Sequence, residues 1–390
     1  MDHHRISGHS SLETRWFPET ALHAGQSGHA SGFVGAPRLY LEDAGGRSLT
    51  LAPFLRYDST DSRRTHADLR EAYLLLFGEF GEGEWELRAG VARVFWGVAE
   101  SQHLVDIVNQ VDLVEHPAGE ARLGQPMVHF TWSANWGALE LFGLPWHRAR
   151  TFPGGAGRFR LPLVVDDERV EYESGAGERH LDLAARYSHS FRSIDFGLSF
   201  FQGTSREPSL EIDLGREALV QSYAQIRQVG IDAQLTAGSW LLKLEGIHRA
   251  GARNLSGREE GYVGSVLGGE YTFYSALGSA ADLSLLGEWS YDGRGPDATP
   301  GRSPNTLEND LFFASRLALN DVQGTEIVAS ILGDVERATR AMAVEFARRL
   351  SDRWSLQLET IWLLSTDEED LFNYWTRRDS FADLGLTYNF

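Results

Sequence analysis

The chain has 390 residues, no cysteine and a formal net charge of −19 at pH 7. The acidic balance argues against nucleic acid as a partner, because phosphates repel it, and the lack of thiols excludes disulfides and thiolate metal sites. Apolar residues make up 42% of the chain, but their runs are far shorter than the roughly 20 residues that a membrane-spanning helix needs. We therefore do not expect a helical membrane protein.

The first ten residues, MDHHRISGHS, are polar. They lack the apolar core of a secretory signal, so we expect that an exported chain has already lost its signal. We predict a flexible tail over residues 1–10, followed by a single domain over residues 11–390. His3, His4 and His9 are explained by this polar tail, and we predict no metal site there.

Alternation with a period of two runs through the rest of the chain. In IDFGLSF (194–200) and VGIDAQL (229–235), apolar residues alternate with polar or small ones. Such runs, about 9 to 13 residues long, suit tilted strands that cross a bilayer. They predict an all-β fold, a transmembrane antiparallel barrel of about 18 strands, with about 16 as the fallback because the segment before Arg47 is irregular. A soluble β-sandwich, the competing fold, rarely sustains runs of this length.

The connections between these runs alternate between short and long. Short turns are predicted at residues 42–48, 78–84, 133–137, 188–193, 236–239, 275–280, 320–325 and 350–353. Long loops are predicted at residues 18–36, 58–66, 97–125, 147–179, 204–221, 250–260, 292–307 and 366–378, with a brief one at 334–338. This asymmetry is typical of barrels that span a membrane, and an even strand number places both termini at the end with the short turns. Trp85, Trp136, Trp240 and Trp354 lie at these turns and predict an aromatic girdle.

The third long loop, residues 97–125, differs from the others because it is half apolar. Leu104, Ile107, Val108 and Val111 recur at helical spacing after Ser101, which predicts a short capped helix. We expect this loop to fold into the barrel and narrow it, and a loop packed on the rim is the alternative. The residues predicted to form a constriction that selects ions by charge are Glu100, Asp106, Asp112, Glu115, Arg93 and His103, with Glu120, His116 and Arg122 nearby.

Charged residues within the strands are expected to face the lumen, because an Arg or Lys facing lipid costs about 2–4 kcal/mol near the midplane. They could form opposed basic and acidic walls, or simply pair across neighbouring strands. The lumen charges predicted are Arg70, Arg88, Arg186, Asp182, Asp232, Glu245, Arg316, Glu345 and Glu359.

The last stretch, DSFADLGLTYNF (379–390), alternates in the same way and ends on an aromatic residue. Leu384, Leu386, Tyr388 and Phe390 resemble the terminal signal that the assembly machinery reads in Gram-negative outer-membrane β-barrels, and the layout as a whole resembles porins. The resemblance implies an integral outer-membrane location with periplasmic termini. It also implies contacts with membrane lipid, lipopolysaccharide and the assembly machinery, and a homo-oligomer by analogy.

A second, shorter resemblance covers about 30 residues. Trp96, Gly97, Glu100 and Ser101, followed by IVNQVD (107–112), are similar to the WGES-like and INPVD-like motifs of uncharacterised proteobacterial outer-membrane barrel proteins. Gln110 stands where that pattern has proline, so the local turn is expected to differ. Neither resemblance specifies a substrate.

Catalysis is not expected, because neither GxSxG nor HExxH occurs and Ser188 and His189, as strand neighbours, point to opposite faces. We predict no cofactor and no resident metal, although the acidic loops 164–168 and 366–370 have oxygen ligands of the kind that calcium prefers.

Three functions remain open from the sequence. The first is passive diffusion of small solutes through a channel gated by loop 97–125. The second is a plugged barrel that binds a partner through loops 147–179 and 292–307. The third is transport of apolar molecules through a lateral opening, suggested by Phe142, Phe201 and Phe312 at predicted inward positions.

Overall fold

The computed structural model describes residues 3–254, 257–294 and 307–390. Within these residues, eighteen strands form one closed antiparallel sheet, and a three-stranded sheet lies apart from it. The barrel strands are β1 (His3–Trp16), β2 (His29–Glu42), β3 (Ser48–Asp58), β4 (His66–Phe80), β5 (Gly83–Ala92), β6 (Gln125–Ala134), β7 (Gly137–Leu144), β9 (Asp182–Phe191), β10 (Ile194–Thr204), β13 (Gln225–Ala237), β14 (Trp240–Arg253), β15 (Glu259–Phe273), β16 (Asp282–Asp292), β17 (Asn309–Ala318), β18 (Glu326–Asp334), β19 (Arg340–Arg349), β20 (Trp354–Ser365) and β21 (Phe381–Asn389). The predicted all-β antiparallel barrel is confirmed, with the larger of the two strand numbers.

The small sheet comprises β8 (Val164–Tyr172), β11 (Ser209–Asp213) and β12 (Ala218–Tyr223). Its strands lie largely within the two long connections predicted at residues 147–179 and 204–221, where no strand was predicted. Short 3-10 turns occur at Ser62–Arg64, Gly177–Arg179 and Ala276–Gly278, and the single α-helix among the described residues is α1 (Leu371–Trp375). No described helix is long and apolar enough to cross a membrane.

The barrel closes between its first and last strands. His9–Trp16 of β1 pairs with Ala382–Asn389 of β21, and the backbones of Gly8 and Phe390 add two further hydrogen bonds of 3.0 Å. β1 also pairs with β2 from His3 onward. Residues 3–10 are therefore part of the wall, and the flexible tail predicted for residues 1–10 is wrong from His3 on; residues 1–2 lie outside the described residues.

The two ends of the barrel differ as the connection lengths predict. All eight short turns join strands at the end where β1 begins and β21 ends, and the long connections lie at the opposite end. The predicted loop at 292–307 falls largely outside the described residues. Because β1 begins and β21 ends where the short turns are, both termini lie at this end of the barrel, which we call the turn end.

The two faces of the wall differ in polarity. On β21, Asp383 and Thr387 face inward and bond to Arg15 and Ser11, whereas Leu384 on the other face is 44% exposed. Large apolar side chains are exposed on the outer face around the barrel, including Leu12, Phe33, Leu55, Leu141, Leu198, Ile231, Leu242, Leu267, Leu285, Phe313 and Ile331. A wall that exposes this much apolar surface is suited to a hydrocarbon environment.

Aromatic side chains gather at the turn end. Trp136 contacts Trp132, Trp240 contacts Tyr271, and Trp354 contacts Tyr388, with ring centroids 5.1, 4.8 and 5.1 Å apart. Trp85 is the register partner of Trp132. The four tryptophans predicted to mark the turn end all lie there.

The aromatic end of β21 gives a test of the assembly signal. Replacing Tyr388 or Phe390 with Ser should lower the yield of folded barrel several-fold, because the apolar outer face of the closing strand is interrupted. The yield is measured as the heat-modifiable fraction in isolated membranes. Asn389→Ser, on the opposite face of the same strand end, is the matched control, and an equal loss of yield in that variant would contradict the role of the aromatic face.

Candidate functional site

The connection between β5 and β6, residues 93–124, crosses the lumen; we call it the inward loop. It contacts β3, β4 and β20 on one side of the barrel through Arg56, Arg70 and Glu359, and β14 and β16 on the other through Glu245 and Glu288. The predicted inward position of residues 97–125 agrees with these contacts. Because of these contacts, the loop occupies the middle of the barrel.

Two wall carboxylates hold the first part of the inward loop. Glu245 Oε1 accepts hydrogen bonds from the backbone N–H of Val98 at 2.7 Å and of Ala99 at 3.0 Å. Glu288 Oε2 accepts from both the N–H and the Oγ of Ser101 at 2.7 Å each. Hydrogen bonds to a charged acceptor are among the stronger ones, so these contacts fix the loop firmly to β14 and β16.

The helix predicted in this loop does not form, and no residue from 93 to 124 is helical. One reason lies in the same contacts, since the N–H of Val105, which a helix capped by Ser101 would direct to the Ser101 carbonyl, is donated to Glu245 at 3.3 Å. Ser101, predicted to cap a helix, instead binds Glu288. Hydrophobic spacing alone could not reveal acceptors contributed by distant strands.

The apolar residues of the loop are nevertheless buried as expected. Val105 and Val108 have no solvent exposure and Ile107 has 3%. They belong to one apolar cluster with wall residues that include Met127, Phe142, Ala184, Phe201, Ile226 and Ile247. The loop is therefore held on the β6–β14 side of the lumen by packing as well as by hydrogen bonds.

The tip of the loop reaches the opposite side. Asp112 accepts from Arg70 of β4 at 2.7 Å, and Glu115 accepts from Arg56 of β3 at 2.7 Å. His116 Nε2 lies 2.8 Å from Glu359 of β20. Burial lowers the pKa of His116, but the hydrogen bond and charge of Glu359 outweigh it and leave this pKa above its ordinary value.

Four other predicted constriction residues lie along the loop in different surroundings. Glu100 accepts a bond of 2.6 Å from Lys243 of β14, and Arg93 pairs with Glu71 of β4 at 3.3 Å. His103 packs edge-on against Phe95 with ring centroids 4.8 Å apart. Asp106 is turned into the loop, where its fully buried carboxylate pairs with Arg122 at 3.0 Å, and burial raises its pKa despite that partner. Asp106 thus supports the shape of the loop and does not face the open lumen.

The predicted lumen charges on β9 and β13 form tight pairs. Arg186 binds both oxygens of Asp232 at 2.6 and 2.8 Å across the intervening strand β10. Gly197 of β10 leaves the space for this, because a Cβ there would meet the Arg186 guanidinium. Asp182 pairs with Arg206 at 2.8 Å. These contacts agree with the alternative of paired charges that fill a polar interior.

The remaining predicted lumen charges lie elsewhere around the wall. Arg88 pairs with Glu86 at 3.0 Å, and Arg316 pairs with Glu326 at 2.7 Å. Glu345 of β19 and Glu359 of β20 are direct partners in the strand register. The two carboxylates lie side by side on one face, where like charges repel each other, and their presence makes this part of the wall acidic.

A cavity of about 340 Å³ remains beside the inward loop, bounded by the loop tip, β1 and strands β18 to β21. Three guanidiniums line it, those of Arg15, Arg56 and Arg64. Seven carboxylates line it, those of Glu13, Glu115, Glu120, Glu326, Glu345, Glu359 and Asp383. The excess of carboxylates gives the cavity a negative potential.

Several residues that shape the site were not singled out as site residues from the sequence. Lys243 and Arg206 hold the loop: Lys243 donates to Glu100, and Arg206 donates to the carbonyl of Val108 at 3.1 Å. Glu13 and Arg15 lie in β1, within a segment predicted in part as a tail. Their alternation with Leu12 and Thr14 was the only sequence signal available, and it was too short to place them in the lumen.

The glycine after Trp96 gives a test of how the loop is held. Gly97 has a φ of +128°, and a Cβ there would lie 2.6 Å from Glu245 Oε1. Gly97→Ala should therefore cost about 1–3 kcal/mol and loosen the loop, seen as faster tryptic cleavage at Arg122 of the folded barrel. Gly385→Ala is the control, because nothing lies within 4 Å of the added atom. Equal cleavage in the two variants would contradict this account.

No protein-family model and no curated protein matches the chain. Similar solved structures include variants of the Rhodopseudomonas blastica porin, two of them with a TM-score of 0.46 and 11% identity over 100% of both chains. A structure described as "Asymmetric conductivity of engineered proteins" has a TM-score of 0.46 and 9% identity over 100% of both chains. Similarity at this level does not identify a function, so the functional proposal rests on the chain's own barrel, loop and cavity.

Proposed function

We propose that the chain is an outer-membrane channel for the passive diffusion of small solutes, with periplasmic termini. The observation that carries the proposal is the cavity of about 340 Å³ left between the inward loop and the wall. Solutes pass beside the loop tip, and size and charge select among them. The mechanism needs no catalytic residue and no cofactor. The apolar outer face contacts lipid and lipopolysaccharide, β21 is read by the assembly machinery, and a homo-oligomer is compatible with this arrangement.

The charge of the cavity predicts which solutes pass. The carboxylates outnumber the guanidiniums, and Arg15 and Arg56 are bound to Asp383 and Glu13. A net negative constriction raises the local concentration of cations and repels anions. We therefore propose a preference for cations, set mainly by Glu120 and Glu345, since Glu326 and Glu359 pair with Arg316 and His116, rather than by the buried Asp106.

The proposal is tested with purified, folded protein in planar bilayers. Stepwise conductance should appear, and small cations should pass more readily than small anions. Folding is verified by heat-modifiable migration before the recordings. Complete silence of folded protein would contradict the channel and favour the second candidate.

The second candidate is a plugged barrel that serves as a structural or partner-binding protein. It is favoured by a second apolar cluster at the long-loop end, where Phe152, Leu161, Val165 and Leu219 bring the small sheet and the neighbouring loops together. This candidate predicts closed recordings and a partner that copurifies through the loop at 147–179.

Transport of apolar molecules has less support. Phe142 and Phe201 face inward as predicted, but they are 3% and 1% exposed because they belong to the apolar cluster that packs with the inward loop. Phe312 faces inward opposite Glu288 in the register. Uptake assays with apolar and polar solutes separate this candidate from the first.

A further inference from the structure

We propose that His66, Asp112 and Glu115 form a site for a divalent transition-metal ion. One ligand atom from each residue lies within 4.8 Å of the other two. His66 begins β4 in the wall, whereas Asp112 and Glu115 lie in the inward loop. A bound ion would therefore tie the loop to the wall, whether or not the barrel conducts.

Glu115 supplies the observation that points to a ligand. Its side chain is 8% exposed, and Oε2 accepts from Arg56 at 2.7 Å. Oε1 is buried with no hydrogen-bond partner among the described residues. A buried acceptor left without a partner is costly, and a cation bound to Oε1 would remove that cost.

The histidine presents a nitrogen to the same point. His66 Nε2 lies 3.3 Å from Glu115 Oε1, yet the two do not have hydrogen-bond geometry. Nitrogen and oxygen ligands about 2.0–2.2 Å from a tetrahedral zinc ion are themselves about 3.3–3.4 Å apart. The spacing of these two atoms is thus that of neighbouring ligands on one ion.

Hydrogen bonds from neighbouring side chains orient the carboxylate of Asp112. Arg70 donates to its Oδ2 at 2.7 Å, and Thr151 Oγ1 donates to its Oδ1 at 2.5 Å. The N–H of Glu115 also donates to Oδ1, at 3.4 Å. Carboxylates that bind metals are commonly oriented by such hydrogen bonds, and Oδ2, which accepts from Arg70, retains a lone pair for an ion.

Arg56 binds both Glu13 and Glu115. Arg64, itself bound to Asp58, lies 3.8 Å from Glu13. Three carboxylates thus share two guanidiniums, and one negative charge remains to attract a cation.

The mixed nitrogen and oxygen donors decide the class of ion. Imidazole suits zinc, copper, nickel and iron, whereas calcium and magnesium take oxygen ligands alone. The site should therefore discriminate against calcium, which the acidic outer loops could bind on their own.

The test uses the folded full-length barrel in detergent and Co²⁺ as an absorbing probe. His3, His4 and His9, near the exposed start of β1, are first replaced with Ala so that all Co²⁺ binding by these histidines is excluded. We expect one Co²⁺ per chain in this background variant, displaced by Zn²⁺ but not by Ca²⁺. His66→Ala in the same background should weaken Co²⁺ binding at least about tenfold, and Glu115→Gln should weaken it as well.

The control is His180→Ala in the same background. His180 contacts Asp182 at 2.7 Å, at the same end of the barrel as His66. The substitution therefore removes a similar histidine–carboxylate contact. Among the described residues, neither His180 nor Asp182 belongs to the group of three possible metal ligands. Co²⁺ binding should be unchanged in this variant. Equal binding with and without His66, or no binding of Co²⁺ by the folded background variant, would overturn the proposal.

Discussion

Deleting residues 105–119 should raise the single-channel conductance several-fold. The deletion removes Val105 and Val108, which pack on the wall, and Asp112, Glu115 and His116, which reach β3, β4 and β20. With these contacts gone, the loop no longer reaches β3 and β20, and only residues 98–101 keep their hydrogen bonds to β14 and β16. The measurement is the conductance step in planar bilayers at fixed salt.

Two further variants serve as controls, to separate the effect of the missing loop from effects of misfolding. Glu245→Ala with Glu288→Ala keeps the loop but removes its acceptors, and should raise the conductance less than the deletion while increasing its fluctuations. Deleting residues 214–217, the tip between β11 and β12, should leave the conductance unchanged. An unchanged conductance in the folded 105–119 deletion would show that the loop does not constrict the barrel.

Replacing Glu345 should change the charge preference of the channel. Glu345 lines the cavity and sits beside Glu359 in the register. A unit charge about 4 Å from a passing ion contributes about 1 kcal/mol in a watery lumen, which corresponds to a roughly fivefold change in relative permeability. Glu345→Gln should therefore reduce the preference for cations several-fold, and Glu345→Lys should reduce it further or reverse it.

The measurement for this prediction is the reversal potential across a salt gradient. Glu86→Gln is the matched control, because Glu86 pairs with Arg88 on β5, away from the cavity. Its reversal potential should equal that of the unmodified chain. If Glu345→Lys and Glu86→Gln gave the same value, ions would not pass beside β19.

The sequence predicted the barrel well because its evidence repeats along the chain. Period-two alternation on the strands and the contrast between short and long connections each recur many times, and both follow from a wall with one apolar and one polar face. The alternation predicted β1 and β2 less completely than the other strands. In the structure, Gly8 lies against the backbone of Ala36 and Pro37, and small residues and proline interrupt the alternation that identified the other strands.

The candidate site was predictable only in part. The inward loop was recognised because half of it is apolar, and burial of Val105, Ile107 and Val108 agrees with that reasoning. Its conformation was not predictable, because the partners of its backbone are Glu245 and Glu288, more than a hundred residues away in the chain. The orientation of Asp106 toward Arg122 likewise depends on a fold of the loop that spacing cannot indicate.

The most direct test of the central claim, that ions pass between the inward loop and β19, uses a single introduced thiol. The chain has no cysteine, so Glu345→Cys offers a unique target for methanethiosulfonate reagents during bilayer recording. We predict that a cationic reagent reacts faster than an anionic one and lowers the current, whereas Phe313→Cys, exposed on the outer face, leaves the current unchanged on treatment. A current through Glu345→Cys that neither reagent alters would contradict the account.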